Sequence, residues 1–400
     1  MNAWQTVALG EATTITGGGT PTRNNTDYYG GTIPWVTPKD MKSWEIHGTQ
    51  VNITEAGLES SAARLVPPNS VLIVVRSGVL KHTIPVALNR VPVAINQDMK
   101  ALRCSGALDP DFLARFIKAQ SAEILQWVRA TTADNFPIDM LKQLRVPIPP
   151  LTEQRRIAGV LDRAEALRAN RRAALAQLAT LTQSIFFDLF GDPATNPNGF
   201  SRGNIEVAVK DPRKDIRCGP FGTQLKVHEL VDSGIPLLGI ENVLDEGFRP
   251  ETRKFLTDMK AKELRAFDVA PGDVLVTRMG TIGRACVVPE TFTGGRFSYH
   301  LFRIRPDIAR CVPEFLAATI SKSGTFQTQL RNYAHGAIMA GLNTTDLKAV
   351  QFLVPPIQLQ REFVAAVATI EKLRASHRAS LAELDALFAT LQHRAFRGEL

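Results

Sequence analysis

The chain has 400 residues, 44% of them hydrophobic and 22% charged, with a formal net charge of +8. A single core stops growing near roughly 250–300 residues, so the length predicts two or three domains, and the composition excludes a disordered chain. The longest aliphatic run, residues 71–75, is far shorter than the roughly 20 residues of a membrane span, and residues 1–5 lack the features of a secretory signal. We therefore expect a cytoplasmic protein without a transmembrane helix.

Taken in chain order, the pattern begins with a glycine-rich loop at residues 17–21 and a short β-branched strand at 71–75. Apolar residues at helical spacing predict a helix near 111–129, and a run without proline predicts a long helix over 152–190. The same order then returns, with a loop at 219–222, a strand at 274–277, a helix near 313–330 and a second long helix over 359–396. This mixture predicts an α/β (mixed α+β) fold.

The returning order reflects an internal duplication. PDFLA at residues 110–114 matches PEFLA at 313–317, and VLI at 71–73 matches VLV at 274–276. The offset between the copies drifts only from 202 to 206 along the chain, which is typical of a tandem repeat. The sequence predicts two globular units, at 1–148 and 192–354, each followed by a long-helix segment, at 149–191 and 355–400.

Both long segments carry apolar residues at alternating spacings of three and four, the heptad pattern of a coiled coil. At 1.5 Å per residue each helix would be roughly 57 Å long. We predict that the two helices pair antiparallel about a pseudo-two-fold axis; the alternative is that each packs along its own domain. Arg168 and Arg171 fall on this seam opposite Arg374 and His377, where they would repel unless a local shift turns them outward toward a partner subunit. The predicted pairing residues are Ile157, Leu161, Leu175, Leu178, Ile185, Phe363, Val367, Leu381, Leu384 and Leu391.

No catalytic motif stands out in the sequence. It lacks the phosphate-binding loop G-x-x-x-x-G-K-[ST], the nucleophile turn G-x-S-x-G, the metal helix H-E-x-x-H and the Asn-Pro-Pro-aromatic motif of adenine methyltransferases. The glycine-rich segments 17–20 and 280–284 are interpreted as turns. Because these motifs are missing, we expect no enzymatic activity in this chain. No cysteine has metal-ligand spacing, so we also expect four reduced, mostly buried thiols and no metal site. The cysteines are Cys104, Cys218, Cys286 and Cys311.

Several stretches resemble the specificity subunits of type I restriction–modification systems. Residues 18–21 (GGTP) and 33–41 (IPWVTPKDM) resemble the start of a first target recognition domain, and 219–226 (GPFGTQLK) and 234–243 (GIPLLGIENV) that of a second. PPLTEQ at 149–154 is similar to the start of the family's long helix, and 190–193 (FGDP) and 396–400 (FRGEL) resemble its helix ends. The second helix start, PPIQLQ at 355–360, departs from this pattern because it lacks the acidic residue.

The resemblance implies a subunit that reads double-stranded DNA and has no catalytic centre. Each recognition domain would read one half of an asymmetric bipartite site, and the helices would set the spacer between the halves. The resemblance also implies two docked methyltransferase subunits and further motor-nuclease subunits. The cofactors, S-adenosylmethionine, ATP and Mg, would belong to those partners.

The mild, evenly spread positive charge also favours a polyanionic partner. Sequence is read by side chains that reach base edges, while other basic groups hold phosphates. Two alternatives stay open: a scaffold or degenerate subunit that binds no DNA, and a nuclease with an unrecognised site. The candidate DNA-contacting residues lie in polar, glycine-rich loops and are Arg23, Lys39, Lys42, Arg76 and Lys81 in the first unit, and Lys226, Arg278, Arg284 and Arg296 in the second.

Overall fold

The computed structural model describes residues 4–129, 134–334 and 341–400. The chain divides into two compact units, the first made of residues 1–173 and 378–400 and the second of residues 174–377. Each unit thus contains one globular domain, half of one long helix and half of the other. The sequence-based division had kept each long helix as a separate segment, whereas the compact units divide both helices.

The helices follow the predicted order, and the two longest have 40 and 39 residues. The predicted helix near 111–129 is two helices, as is the one near 313–330. In chain order the helices are α1 (Leu9–Ala12), α2 (Glu55–Glu59), α3 (Pro110–Ala119), α4 (Ser121–Gln126), α5 (Ile138–Gln143), α6 (Leu151–Phe190), α7 (Pro212–Asp215), α8 (Asp258–Glu263), α9 (Pro313–Lys322), α10 (Gly324–Tyr333), α11 (Thr344–Ala349) and α12 (Ile357–Ala395).

The strands are short, and those predicted at 71–75 and 274–277 are present as β7 and β19. They are β1 (Thr6–Ala8), β2 (Thr13–Gly17), β3 (Tyr29–Val36), β4 (Glu45–Ile46), β5 (Asn52–Ile53), β6 (Leu65–Val66), β7 (Val71–Val74), β8 (Val86–Asn89), β9 (Val93–Ile95), β10 (Met99–Cys104), β11 (Arg145–Pro147), β12 (Ser201–Asn204), β13 (Ile216–Cys218), β14 (Ile235–Leu238), β15 (Val243–Leu244), β16 (Gly247–Phe248), β17 (Phe255–Leu256), β18 (Asp268–Val269), β19 (Val274–Thr277), β20 (Ala285–Val287), β21 (Gly295–Phe297), β22 (Leu301–Ile304) and β23 (Gln351–Val354).

The sheets confirm the duplication at the level of topology. The first unit has sheets ordered β2-β10-β7-β8-β4 and β5-β3-β9-β6 with the pair β1-β11, and the second has β13-β22-β19-β20 and β17-β14-β21-β18 with β12-β23. Even the parallel pair is repeated, since β3 runs parallel to β9 and β14 runs parallel to β21. The second unit replaces the edge strand β4 with the small hairpin β15-β16.

Glycine is needed where the predicted loops pass close to the central strands. An added Cβ at Gly18 would collide with the carbonyl oxygen of Ile95, and one at Gly219 would collide with that of Ser298. Gly280 and Gly283 adopt φ values of +71° and +84°, which glycine reaches without steric cost. The glycine-rich segments are therefore turns of the framework, as the sequence analysis interpreted them.

Each unit packs its domain against parts of both long helices. In the first unit, Ile157 and Leu161 of α6 and Ala395 of α12 belong to the main core, with Phe388 and Leu391 packed against it. In the second unit, the aromatic rings of Phe186 and Phe190 near the end of α6 meet that of Phe363 near the start of α12. In the first unit the start of α6 therefore packs with the end of α12, and in the second unit the end of α6 packs with the start of α12. This arrangement confirms the antiparallel pairing.

The helix α6 meets a looser criterion for a membrane span than the aliphatic run considered in the sequence analysis. By length and composition alone, Leu151–Phe190 qualifies as a membrane-crossing helix among the described residues, although it contains no long uninterrupted aliphatic run. This is weak evidence for a membrane span. Only 17% of its most apolar 18-residue window is buried, which leaves apolar side chains of a helix exposed.

Candidate nucleic-acid interface

In the first unit, a tight turn after β3 presents two of the predicted contact residues. The Asp40 carboxylate accepts hydrogen bonds from the backbone N–H of Thr37 (2.9 Å) and from that of Gln50 (3.1 Å), which fixes the turn. The side chains of Lys39 and Lys42 are exposed on this segment, and no ion pair to either ammonium group occurs among the described residues. Both charges are thus available to an anionic partner.

The other three predicted residues of the first unit differ in their partners. Arg23 is exposed in the loop before β3. Arg76 pairs through Nε with Asp98 at 2.6 Å, and the Lys81 ammonium lies 4.0 Å from the Asp134 carboxylate. Exposed ion pairs of this kind contribute about 0–1 kcal/mol, so a DNA phosphate could compete with them.

In the second unit, two predicted residues remain accessible. Lys226 is exposed, and its ammonium has no ion pair among the residues that the structure describes. Arg284 is about one-third exposed and pairs with Asp245 at 3.1 Å. Phe221 is 58% exposed in the same loop as Lys226. The sequence analysis did not select this ring, although its place in the GPFGTQLK motif was a usable signal.

The last two predicted residues are used inside the second domain. Arg278 donates from Nε to the Leu342 carbonyl (2.7 Å) and from Nη1 to the Tyr299 carbonyl (3.2 Å). Arg296 of β21 donates from Nε to the Ala261 carbonyl of α8 (3.0 Å). These guanidinium groups brace the backbone, so they are weaker candidates for DNA contact than the exposed lysines.

Repeat-related turns in the two units share a frame but present opposite charges. Asn242 accepts from the Gly239 N–H (2.7 Å), as Asp40 does in the first unit. At the position of Lys39, however, the second unit has an exposed Glu241, which pairs with Lys254 at 3.4 Å. The two turns therefore present different charges at their surfaces.

The predicted pairing residues all lie on the inner side of the helices. Ile157, Leu161 and Phe363 are fully buried, and the other seven are half-buried. This periodic burial follows the heptad pattern along both α6 and α12.

Arg168 does not face outward, contrary to the expectation for this seam position. Its side chain is 17% exposed, its Nε donates to Asp385 of α12 at 2.6 Å, and its guanidinium lies over the ring of Phe388, 4.3 Å from the centroid. Arg172 also pairs with Asp385, at 3.2 Å. Acidic residues and an aromatic ring thus accommodate the basic residue in the middle of the seam.

The sequence analysis did not select two buried glutamines, Gln154 and Gln360, although they occupy equivalent positions of the internal duplication. The Gln154 amide donates to the carbonyls of Pro149 (2.8 Å) and Ala107 (2.9 Å) and accepts from the Asp109 N–H (2.7 Å). Gln360 likewise donates to the Pro355 carbonyl (2.9 Å) and accepts from the N–H just before α9 (2.9 Å). Each glutamine fastens the start of a long helix to its domain.

The described residues contain no group of three or more His, Cys, Asp and Glu side chains that could hold a metal ion. All four cysteines are free thiols. Burial raises the pKa of Cys104, Cys286 and Cys311 to about 12 in each case, and it also raises the pKa of Cys218. A thiol with so high a pKa is a poor nucleophile near neutral pH.

Comparison with known proteins points to one family. Residues 1–178 match the family model of the type I restriction modification DNA specificity domain. The chain is 36% identical over 167 residues to the Escherichia coli EcoR124I/EcoR124II specificity subunit, a match that spans only 41% of each chain. It is 22% identical over 388 residues to the MjaIX specificity subunit of Methanocaldococcus jannaschii, covering 91% of this chain and 86% of the relative.

Solved structures agree on the fold over nearly the full length. A chain from a study of complex assembly and conformational transition in a type I restriction–modification system superposes with a TM-score of 0.62 at 19% identity, covering 100% and 99% of the two chains. The specificity subunit from M. genitalium gives a TM-score of 0.57 at 14% identity, covering 98% and 96%. Residues 1–178 therefore match the type I restriction modification DNA specificity domain, and the chain as a whole is similar in sequence and fold to type I restriction–modification specificity subunits.

Proposed function

We propose that this chain is the non-catalytic, DNA-reading subunit of a type I restriction–modification complex. Each unit would read one half of an asymmetric bipartite site on double-stranded DNA in the cytoplasm. The observation that carries the proposal is a duplicated framework with differently charged loops, seen most clearly where the exposed Lys39 is replaced by Glu241. Identical halves would produce a palindromic site, and these halves are not identical.

The first experiment measures genomic methylation in a host without restriction–modification systems of its own. The chain is expressed with its cognate methyltransferase subunit, and the methyltransferase alone is the control. An asymmetric, bipartite N6-methyladenine motif that requires both chains is the expected result. If both proteins are soluble and associated but no motif appears, the proposal fails and the scaffold or degenerate subunit takes its place.

Individual contacts are tested by binding at several salt concentrations. A lysine that neutralises one phosphate contributes roughly 0.9 to the slope of log affinity against log salt. Lys39→Ala and Lys42→Ala should each lower that slope, whereas Lys142→Ala, an equal charge change at an α5 residue paired with Asp139, should not. In the second unit, Arg284→Ala should weaken binding of the second half-site only.

We also propose that the methyltransferase subunits dock on an exposed leucine face of the helices. Four leucines that each directly precede a residue of the heptad seam are about half exposed. They are Leu167 (56%) and Leu387 (52%) in the first unit, and Leu373 (45%) and Leu181 (40%) in the second. In an antiparallel coiled coil, these positions of the two helices lie along the same edge. On the opposite edge, Arg172 and Asp385 form an ion pair, whereas the leucine edge offers apolar surface to a partner helix.

The two leucine pairs allow a matched test of docking. Leu167→Glu with Leu387→Glu should remove one methyltransferase from a complex expected to contain two, and Leu181→Glu with Leu373→Glu should remove the other. Asn170→Glu introduces a single negative charge at an exposed position of α6 and should leave the stoichiometry at two. Native mass spectrometry of the complexes counts the subunits, and full occupancy in both double variants would contradict this docking face.

The remaining parts of the proposal concern spacing and chemistry. Adding one heptad to the paired helices should lengthen the unread spacer between the half-sites without changing either half. S-adenosylmethionine, ATP and Mg would act in the methyltransferase and motor-nuclease subunits, and this chain would contribute DNA recognition alone.

A further inference from the structure

A buried arginine links three parts of the first unit. Arg115 lies on α3, and its side chain is only 9% exposed. Its Nε donates to the carboxylate of Asp162 on α6 at 2.7 Å. Its guanidinium carbon also lies 4.1 Å from the centroid of the Trp44 ring. The single side chain thus contacts both the long helix and the segment after β3.

Trp44 ends the segment that presents Lys39 and Lys42. Its carbonyl accepts a hydrogen bond from the Leu88 N–H (2.9 Å), where β4 begins to pair with β8. The other end of the segment is fixed by the turn around Asp40. A shift of the Trp44 ring would therefore move the two lysines relative to the rest of the domain.

The segment is partly separated from the helix α6, although its Met41 and Trp44 pack against the main core. A groove of about 770 Å³ lies between them, lined by Lys42 and Trp44 on one side and by Asp162 and Phe388 on the other. Arg115 is part of the lining and spans from one side to the other. The contact between segment and helix depends on this side chain rather than on continuous packing.

Stability alone does not explain a buried arginine in this place. Desolvating a charge costs several kcal/mol, and a hydrophobic residue of similar volume is often equally stable. The second unit has the same framework but carries Ala318 at the repeat position of Arg115, Ala368 at that of Asp162 and Glu246 at that of Trp44. The bridge is therefore a property of the first unit and not a requirement of the fold.

We propose that Arg115 is a positioning residue for recognition of the first half-site. It holds the segment 37–44 at a fixed distance from α6, so that Lys39 and Lys42 meet the DNA in one geometry. This inference rests on the proposed function, because it requires that the segment contacts DNA. It predicts that the loss of the bridge changes discrimination at one half-site only.

The test uses the complex of the full chain with its methyltransferase, and DNA carrying the motif found by methylation mapping. The wild-type complex should reject a single wrong base pair in either half by roughly ten- to hundredfold. Arg115→Met should reduce the rejection in the first half to about threefold or less and leave the second half unchanged. Asp162→Asn and Trp44→Leu, which each remove one end of the bridge, should act in the same direction, and Arg115→Lys should restore part of the loss.

Arg155→Met is the matched control, because Arg155 has a 70% exposed side chain and pairs with Asp109 at 3.4 Å at the start of α6. It should leave both halves unchanged. Equal weakening of both halves by Arg115→Met, or unchanged discrimination in Arg115→Met and Asp162→Asn, would overturn the positioning role while leaving the proposed function intact. A wild-type complex that discriminates at neither half would overturn both. If Arg115→Met does not fold, Asp162→Asn decides, since that carboxylate is 45% exposed.

Discussion

The buried glutamines at the helix starts provide a quantitative test of how the domains hold the helices. Gln154 makes three hydrogen bonds in a fully buried site, and Gln360 makes two. A buried hydrogen bond contributes about 1 kcal/mol, and an unsatisfied buried group costs a further ~1–3 kcal/mol. We expect Gln154→Leu to lower the free energy of unfolding by about 4–6 kcal/mol and Gln360→Leu by about 3–5 kcal/mol.

The tryptophans make the two substitutions distinguishable. All four, Trp4, Trp35, Trp44 and Trp127, belong to the first unit. In urea unfolding, Gln154→Leu should shift the transition seen by tryptophan fluorescence, while Gln360→Leu should shift mainly the far-ultraviolet circular dichroism signal. The control is Gln177→Leu, an exposed glutamine of α6 whose substitution should change stability by at most about 0.5 kcal/mol. A Gln154→Leu shift no larger than that of the control would refute the fastening role.

Three further predictions concern Arg278, the buried thiols of both units and His300. Arg278→Ala should mainly lower the unfolding midpoint rather than change half-site discrimination, because the Arg278 guanidinium donates to the backbone carbonyls of Tyr299 and Leu342. A change in discrimination with an unchanged midpoint would contradict this. The buried thiols, with pKa values raised to about 12, should react with a thiol reagent at pH 8 far more slowly than after urea unfolding. Burial lowers the pKa of His300 below 6.5, so the unfolded chain binds more protons, and stability should fall as pH drops below about 6.5. His300→Gln should remove that part of the pH dependence, measured by midpoints at pH 5 and 7.

Much of the fold was predictable from the sequence because the internal duplication shows the same spacing of apolar residues twice. The strands β7 and β19, both long helices and the antiparallel seam are visible as periodic apolar residues in two copies. The break between α3 and α4 was missed, since the apolar spacing continues across Gln120 without proline or glycine. The exclusion of a membrane span was based on a run of aliphatic residues, which is a narrower criterion than the mean hydropathy that α6 meets.

The candidate site was less predictable because basic residues serve two purposes. Lys39 and Arg278 both lie in loops after strands, and the sequence does not distinguish them. The structure distinguishes them, because the Arg278 guanidinium donates to a backbone carbonyl of its own domain, whereas Lys39 is exposed on the turn held by Asp40. The role of Arg115 required knowledge of three segments that are distant in sequence.

The duplication itself separates residues that build the framework from residues that distinguish the units. Gln154 and Gln360 make equivalent bonds, and Gly18 and Gly219 pass equally close to a neighbouring carbonyl, so these positions are set by the fold. By contrast, Lys39 of the first unit is replaced by Glu241 on the equivalent turn of the second, and Arg115 of α3 is replaced by Ala318 of α9. The framework accepts either residue at the second kind of position. Under the proposed function, the differences there would distinguish two DNA half-sites. Exchanging such residues between units, rather than removing them, is therefore the most direct way to change the sequence that is read.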